Sequence, residues 1–149
     1  MSDLRDLYQE VILDHNRHPR NCHRLEGANR QAEGFNPLCG DKVTVYLTVE
    51  DGVIKEVSFE GAGCAISTAS SSLMTESLKG KREEEAEALF QKFHSLVMGQ
   101  SCAADNVPLG KLQVLEGVKE YPSRVKCATL AWHTLHAALR NEKQAISTE

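Results

Sequence analysis

With 149 residues, 41% of them hydrophobic and 26% charged, the chain is sized for a single domain spanning residues 1–149 with its own core. A net charge of −4 argues against nucleic acid, which demands a concentrated basic footprint; no apolar run nears the roughly 20 residues of a membrane span, and residues 1–5 lack a signal-peptide layout. A cytoplasmic location is therefore expected, and there five cysteines with no C-x-x-C pair read as metal ligands, reactive thiols or buried small side chains, not as disulfides or a zinc ribbon.

Leu4, Leu7, Tyr8, Val11 and Ile12 recur at helical spacing, which predicts a first helix capped by Ser2 or Asp3 and stopped around Pro19. His15 and His18 read as cations at its C-terminal end. Residues 20–36 are polar with scattered glycine and read as loop with at most one edge strand. Val43, Val45, Leu47 and Val49 then alternate with Thr44, Tyr46 and Thr48, the period of a half-buried strand. Asp51-Gly52 marks the turn of a hairpin. A two-residue loop sets Leu47 against Glu56 and Val45 against Ser58. A three-residue loop, Asp51-Gly52-Val53, sets them against Val57 and Phe59. The buried face decides register, so a type I turn with a bulge at Gly52 is predicted.

After Gly61-Ala62-Gly63 a small-residue helix is predicted from Cys64 to about Lys79, with Gly80 as its stop. A second runs from Glu83 to Met98 and buries Ala86, Leu89, Phe90 and Phe93; its opening Glu83-Glu84-Glu85 suits the positive end of the helix dipole. Residues 99–108 read as loop, followed by a short helical piece carrying Leu112, Leu115 and Val118. The last helix starts near Ser123 and buries Ala128, Ala131, Trp132, Leu135 and Leu139. A polar tail after Asn141 is expected to fray. This order of elements predicts an α+β fold, a small antiparallel β-sheet packed against several α-helices.

Three cysteines stand on element boundaries. Cys39 lies in Asn36-Pro37-Leu38-Cys39-Gly40-Asp41, a bent connection just before the first confident strand, and Cys-x-Asp puts two zinc-competent side chains on one face of an extended stretch. Cys64 opens a helix, where the dipole favours an anion. Cys127 is placed in the first turn of the last helix. There Arg124 and Lys126 set two cations against the usual dipole preference, which suggests an anionic site or an acidic partner surface nearby. Three thiolates repel one another without a cation. Cys39, Asp41, Cys64 and Cys127 supply the four donors of a tetrahedral zinc site. Cys22 and Cys102 read as spectators. His94, His133 and His136 read as surface or core-edge, and the run Ser70-Ser71-Ser72 lacks the setting of a nucleophile.

The segment Asn36-Pro37-Leu38-Cys39-Gly40-Asp41, the segment Gly63-Cys64-Ala65-Ile66-Ser67 and the segment Arg124-Val125-Lys126-Cys127-Ala128-Thr129-Leu130 together resemble the IscU/SufU/NifU-N-terminal family of iron–sulfur cluster assembly proteins. The resemblance covers nearly the whole chain and is nearest the SufU branch. IscU-type members carry a Leu-Pro-Pro-Val-Lys chaperone-binding segment and a histidine before the last cysteine. This chain has Glu120-Tyr121-Pro122-Ser123-Arg124-Val125 and Lys126 at those places. The resemblance implies a SufU/IscU-like fold and a zinc-dependent sulfurtransferase that accepts persulfide sulfur from a SufS-type cysteine desulfurase. It implies Cys39 as acceptor, with Asp41, Cys64 and Cys127 completing the zinc site, and downstream iron–sulfur assembly proteins as further partners. Arg124 is expected to assist sulfur acceptance. The alternative is a non-enzymatic scaffold that assembles an iron–sulfur cluster on the same thiols; a third reading is a purely structural zinc module.

Overall fold

The computed structural model describes residues 2–37, 40–99, 109–140 and 146–147, apart from the side chains of residues 2–8, 62 and 146–147. Cys39, Cys102 and most of the loop expected over 99–108 lie outside the described residues. The elements follow in order as α1 (Ser2–Arg17), β1 (Arg30–Asn36), β2 (Asp41–Glu50), β3 (Val53–Ala62), α2 (Ala65–Leu78), α3 (Glu83–Met98), a 3-10 stretch (Gly110–Glu120), α4 (Pro122–Leu139) and β4 (Ile146–Ser147). The sheet runs β3-β2-β1-β4. β1 and β3 flank β2 antiparallel. α4 packs against β1 and β2, and α2 lies beside it against β3. α1 covers α2, while α3 and the 3-10 stretch close the far side of α4. The expected α+β arrangement is thus present. No helix among the described residues is long and apolar enough to cross a membrane.

The predicted pairing of Val45 with Phe59 and of Leu47 with Val57 is present, but the turn that sets it differs. Glu50 pairs with Val53, so the loop has only two residues. Asp51 and Gly52 both take positive φ, 54° and 75°, as a type I′ turn requires. The register then shifts between Thr48 and Val49, leaving Lys55 as the extra residue of a bulge. The burial preference held, satisfied by a bulge inside β3 in place of a longer loop. Two further expectations are adjusted. The strand allowed for in residues 20–36 is β1, seven residues long, and it lies between β2 and β4, not at the sheet edge. The tail does not simply fray, since Ile146 and Ser147 pair in parallel with Gly34 and Phe35.

His15 is not a solvated cation. It is 1% exposed, with Nδ1 2.6 Å from Ser72 Oγ and Nε2 3.4 Å from Glu76. It joins α1 to α2, and burial pushes its pKa below the ordinary 6.5. His133 is lowered likewise, first by burial and then by His94 and His136. These three imidazoles gather around Phe90, whose ring stacks on His136 at 5.1 Å between centroids and meets His133 edge-on at 5.4 Å. Both lowered groups are neutral in the folded chain where the unfolded chain would be charged. Their contribution is complete above the unfolded value near 6.5 and is lost as pH falls through the folded values. Calorimetry should therefore find the unfolding midpoint dropping as pH is taken from 7.5 to 5, and His133→Leu should flatten that descent.

Candidate metal centre

Asp41, the first residue of β2, is 1% exposed. A carboxylate buried this deeply must be answered by donors or a cation. Its first answer is the start of α2. Oδ1 accepts the backbone N–H of Cys64 at 2.8 Å, and Oδ2 lies 3.7 Å from Cys64 Sγ. Cys64 is the N-cap of α2, in extended backbone, and its sulfur accepts the N–H of Ser67 at 3.4 Å. The preceding Gly63 makes this approach possible: a Cβ there would sit 2.6 Å from Asp41 Oδ1. Gly63 thus gives the Asp41 carboxylate its room at the start of α2, while a Cβ at Gly61 would meet the backbone carbonyl of Lys42.

Cys127 comes to the same spot from α4, 3% exposed. The Sγ atoms of Cys64 and Cys127 and a carboxylate oxygen of Asp41 all lie within 4.8 Å of one another. Two thiols and a carboxylate are the donor types zinc accepts, and three donors leave one tetrahedral position. Cys39 precedes Asp41 by two residues in the chain, and the Gly40 N–H donates to Asn36 O at 2.8 Å. The flanking residues Asn36, Pro37 and Gly40 line an open cleft together with Asp41 and the exposed Phe35. The structure therefore brings together three of the four expected ligands, and the fourth lies outside the described residues.

One expectation for Cys127 is corrected. α4 begins at Pro122, which places Cys127 in the second turn. The backbone N–H groups of Arg124 and Val125 already bond Tyr121 O, and the dipole's influence fades beyond the first turn. The donor facing Cys127 Sγ is instead the side-chain amide of Asn36, at 3.9 Å. Sequence reasoning passed over Asn36, because an amide belongs to no ligand pattern. Arg124 also finds a partner that charge alone did not suggest: its guanidinium lies 4.7 Å from the centroid of the exposed Tyr121 ring. Cys22 is exposed and away from the cluster, with its thiol pushed up by partial burial and by Glu60.

The helices that carry the ligands are tied together below the site. Ser70 of α2 donates to Ala128 O of α4 at 2.5 Å and accepts Trp132 Nε1–H at 3.2 Å. The serine run is thus buried structure, in keeping with its reading as no nucleophile.

Comparison with known proteins adds a family to this geometry. The NifU-like N-terminal domain matches residues 7–128. The chain is 39% identical over 145 residues to the iron–sulfur cluster assembly scaffold protein IscU of Streptococcus pyogenes serotype M1, covering 97% of this chain and 90% of that protein. It is 36% identical over 142 residues to the zinc-dependent sulfurtransferase SufU of Bacillus subtilis (strain 168), covering 95% of each. A crystal structure from Fervidobacterium islandicum AW-1, described as a candidate iron–sulfur cluster assembly scaffold protein for the SUF system, superposes with a TM-score of 0.82 at 39% identity. That match covers 87% of this chain and 94% of the other.

Proposed function

Because this chain belongs to the NifU-like N-terminal domain family, we propose that it serves iron–sulfur cluster assembly as a zinc-dependent sulfurtransferase, accepting persulfide sulfur on Cys39 from a SufS-type cysteine desulfurase in the cytoplasm. The observation that carries this reading is the convergence of Asp41, Cys64 and Cys127, with Cys39 two positions before Asp41 in the chain. These four residues would hold the metal. Bound there, zinc supplies the positive charge that keeps ligating thiols deprotonated at neutral pH. The chemistry belongs to Cys39. Its thiolate attacks the outer sulfur of the donor persulfide, the donor's S–S bond breaks, and its inner sulfur leaves as thiolate with the electron pair. Cys39 is left carrying the persulfide, while Asp41, Cys64 and Cys127 stay in place as ligands. Downstream iron–sulfur assembly proteins then take the sulfur.

The likeness to the Streptococcus pyogenes scaffold protein favours a second reading, a scaffold on which a cluster forms, since thiolates suit both metals. Lys126 in place of a histidine, and the lack of the chaperone-binding segment, favour transfer. Metal analysis of the purified protein separates the readings when paired with desulfurase turnover. About one zinc per chain is expected, strongly diminished in Cys64→Ala and Cys127→Ala, together with faster desulfurase turnover when the protein is added. Protein without zinc, or zinc undiminished in those variants, would overturn the assignment. A stable, transferable cluster built from iron and sulfide would promote the scaffold.

Arg124, exposed and three residues before Cys127 on α4, would offer its guanidinium to an acidic partner surface. Arg124→Ala should keep its zinc yet activate the desulfurase several-fold less well. Wild-type activation by that variant returns Arg124 to a surface side chain stacked on Tyr121.

A further inference from the structure

Two of the proposed ligands are oriented at the start of α2: Asp41 accepts the Cys64 N–H, and Cys64 is an N-cap whose sulfur accepts the Ser67 N–H. Cys127 comes from α4, and the side-chain amide of Asn36, the last residue of β1, fully buried and 91 positions away in the chain, faces its sulfur.

Asn36 is well placed for the task. It stands directly opposite Asp41 in the β1–β2 ladder, so the strand pairing that seats the carboxylate also seats the amide. Its main-chain carbonyl closes the 36–40 turn, while its side chain reaches in the other direction, to α4. A buried amide costs free energy unless its donors are used, and the sulfur, with its large radius, takes the N–H at 3.9 Å. An N–H aimed at a ligating sulfur fixes the direction in which that sulfur presents its remaining lone pairs. This is how outer-shell donors set metal affinity.

We propose that Asn36 is a positioning residue for the metal centre: its buried amide donates to Cys127 Sγ and holds that sulfur facing Asp41 and Cys64. The inference rests on the zinc-binding reading above. It predicts a defect in metal binding that is separable from any defect in folding.

The test compares wild type with Asn36→Asp, which keeps the shape and replaces the donor with an acceptor, and Asn36→Ala, which removes both without adding charge. Zinc affinity is measured by competition with a chromophoric chelator, and cobalt(II) substitution reports thiolate ligation through its sulfur-to-metal charge-transfer band. Both variants should lose about 10- to 100-fold in affinity and show a weaker charge-transfer band, while the metal-free proteins melt close to metal-free wild type. Affinity within about twofold of wild type, or a loss of affinity matched by an equal loss of metal-free stability, would overturn the proposal; the second result marks Asn36 as packing only. Should Asn36→Asp fail to fold, Asn36→Ala carries the same comparison. Should wild type itself take up neither zinc nor cobalt, the metal reading falls and this inference with it; a binding wild type with unimpaired Asn36 variants sinks this inference alone.

Discussion

Cys39→Ala protein, supplied with excess zinc and incubated with a cysteine desulfurase and cysteine, should accept no sulfur at all. Asp41, Cys64 and Cys127 remain to hold metal in this variant, so restoring zinc cannot restore a nucleophile that has been deleted. Wild type under the same conditions should gain the mass of one sulfur atom on the peptide carrying Cys39. Cys22 should stay largely unmodified. Its thiol is pushed above its ordinary range by partial burial and by Glu60, and a smaller thiolate fraction makes a slower nucleophile. Cys102 is expected to be a bystander as well. Peptide mass spectrometry that finds the sulfur only on Cys64 or Cys127 would reverse the assigned roles.

Trp132→Ala should produce the largest loss of stability. Trp132 is completely buried, stacks on Phe93 with centroids 4.6 Å apart, and donates through Nε1 to Ser70 Oγ. Truncation opens a cavity and costs about 3–5 kcal/mol, which lowers the unfolding midpoint of a chain this long by on the order of 10 °C. Trp132→Phe keeps one aromatic ring and loses the hydrogen bond and a smaller part of the packing, for about 1–2 kcal/mol. The effect should also reach the site. Ser70 links the helix of Cys64 to the helix of Cys127, so Trp132→Ala is expected to weaken metal binding where Trp132→Phe scarcely does. Denaturant unfolding and chelator competition on the two variants check both halves; a Trp132→Ala midpoint equal to wild type would contradict the packing described.

Asp41, Cys64 and Cys127, which the structure gathers, were legible in the sequence as candidate ligands because thiols and a carboxylate on element boundaries are donor types that zinc accepts. Strand β2 was legible from its alternation, and its partner register from the need to keep Val45 and Leu47 against apolar neighbours. The turn was not, because two local solutions give the same register and only backbone detail chooses between them. His15 misled because, at a helix end, a buried histidine and a solvated one look alike until Ser72, 57 positions away, is seen to face it. Asn36 stayed hidden for a similar reason. Its significance lies in the distance to Cys127, which neither residue announces. Cys127 stands in the second turn of α4, because Pro122 sits inside the helix as its first residue and even a start at Ser123 puts it beyond the first 3.6 residues.

The spacing of the ligands along the chain has a consequence for which of them can be exchanged. Asp41 and Cys64 are 23 positions apart, and Cys64 and Cys127 roughly 60, loops for which a cross-link removes about 3–4 kcal/mol of unfolded-chain entropy. An ion bridging these residues therefore acts as a topological staple, and releasing Cys64 or Cys127 opens a long loop. Releasing Cys39 opens nothing of the kind, since Asp41, two residues further on, keeps the same segment pinned. The thiol proposed to leave and react is thus the one whose departure costs the chain no topological constraint.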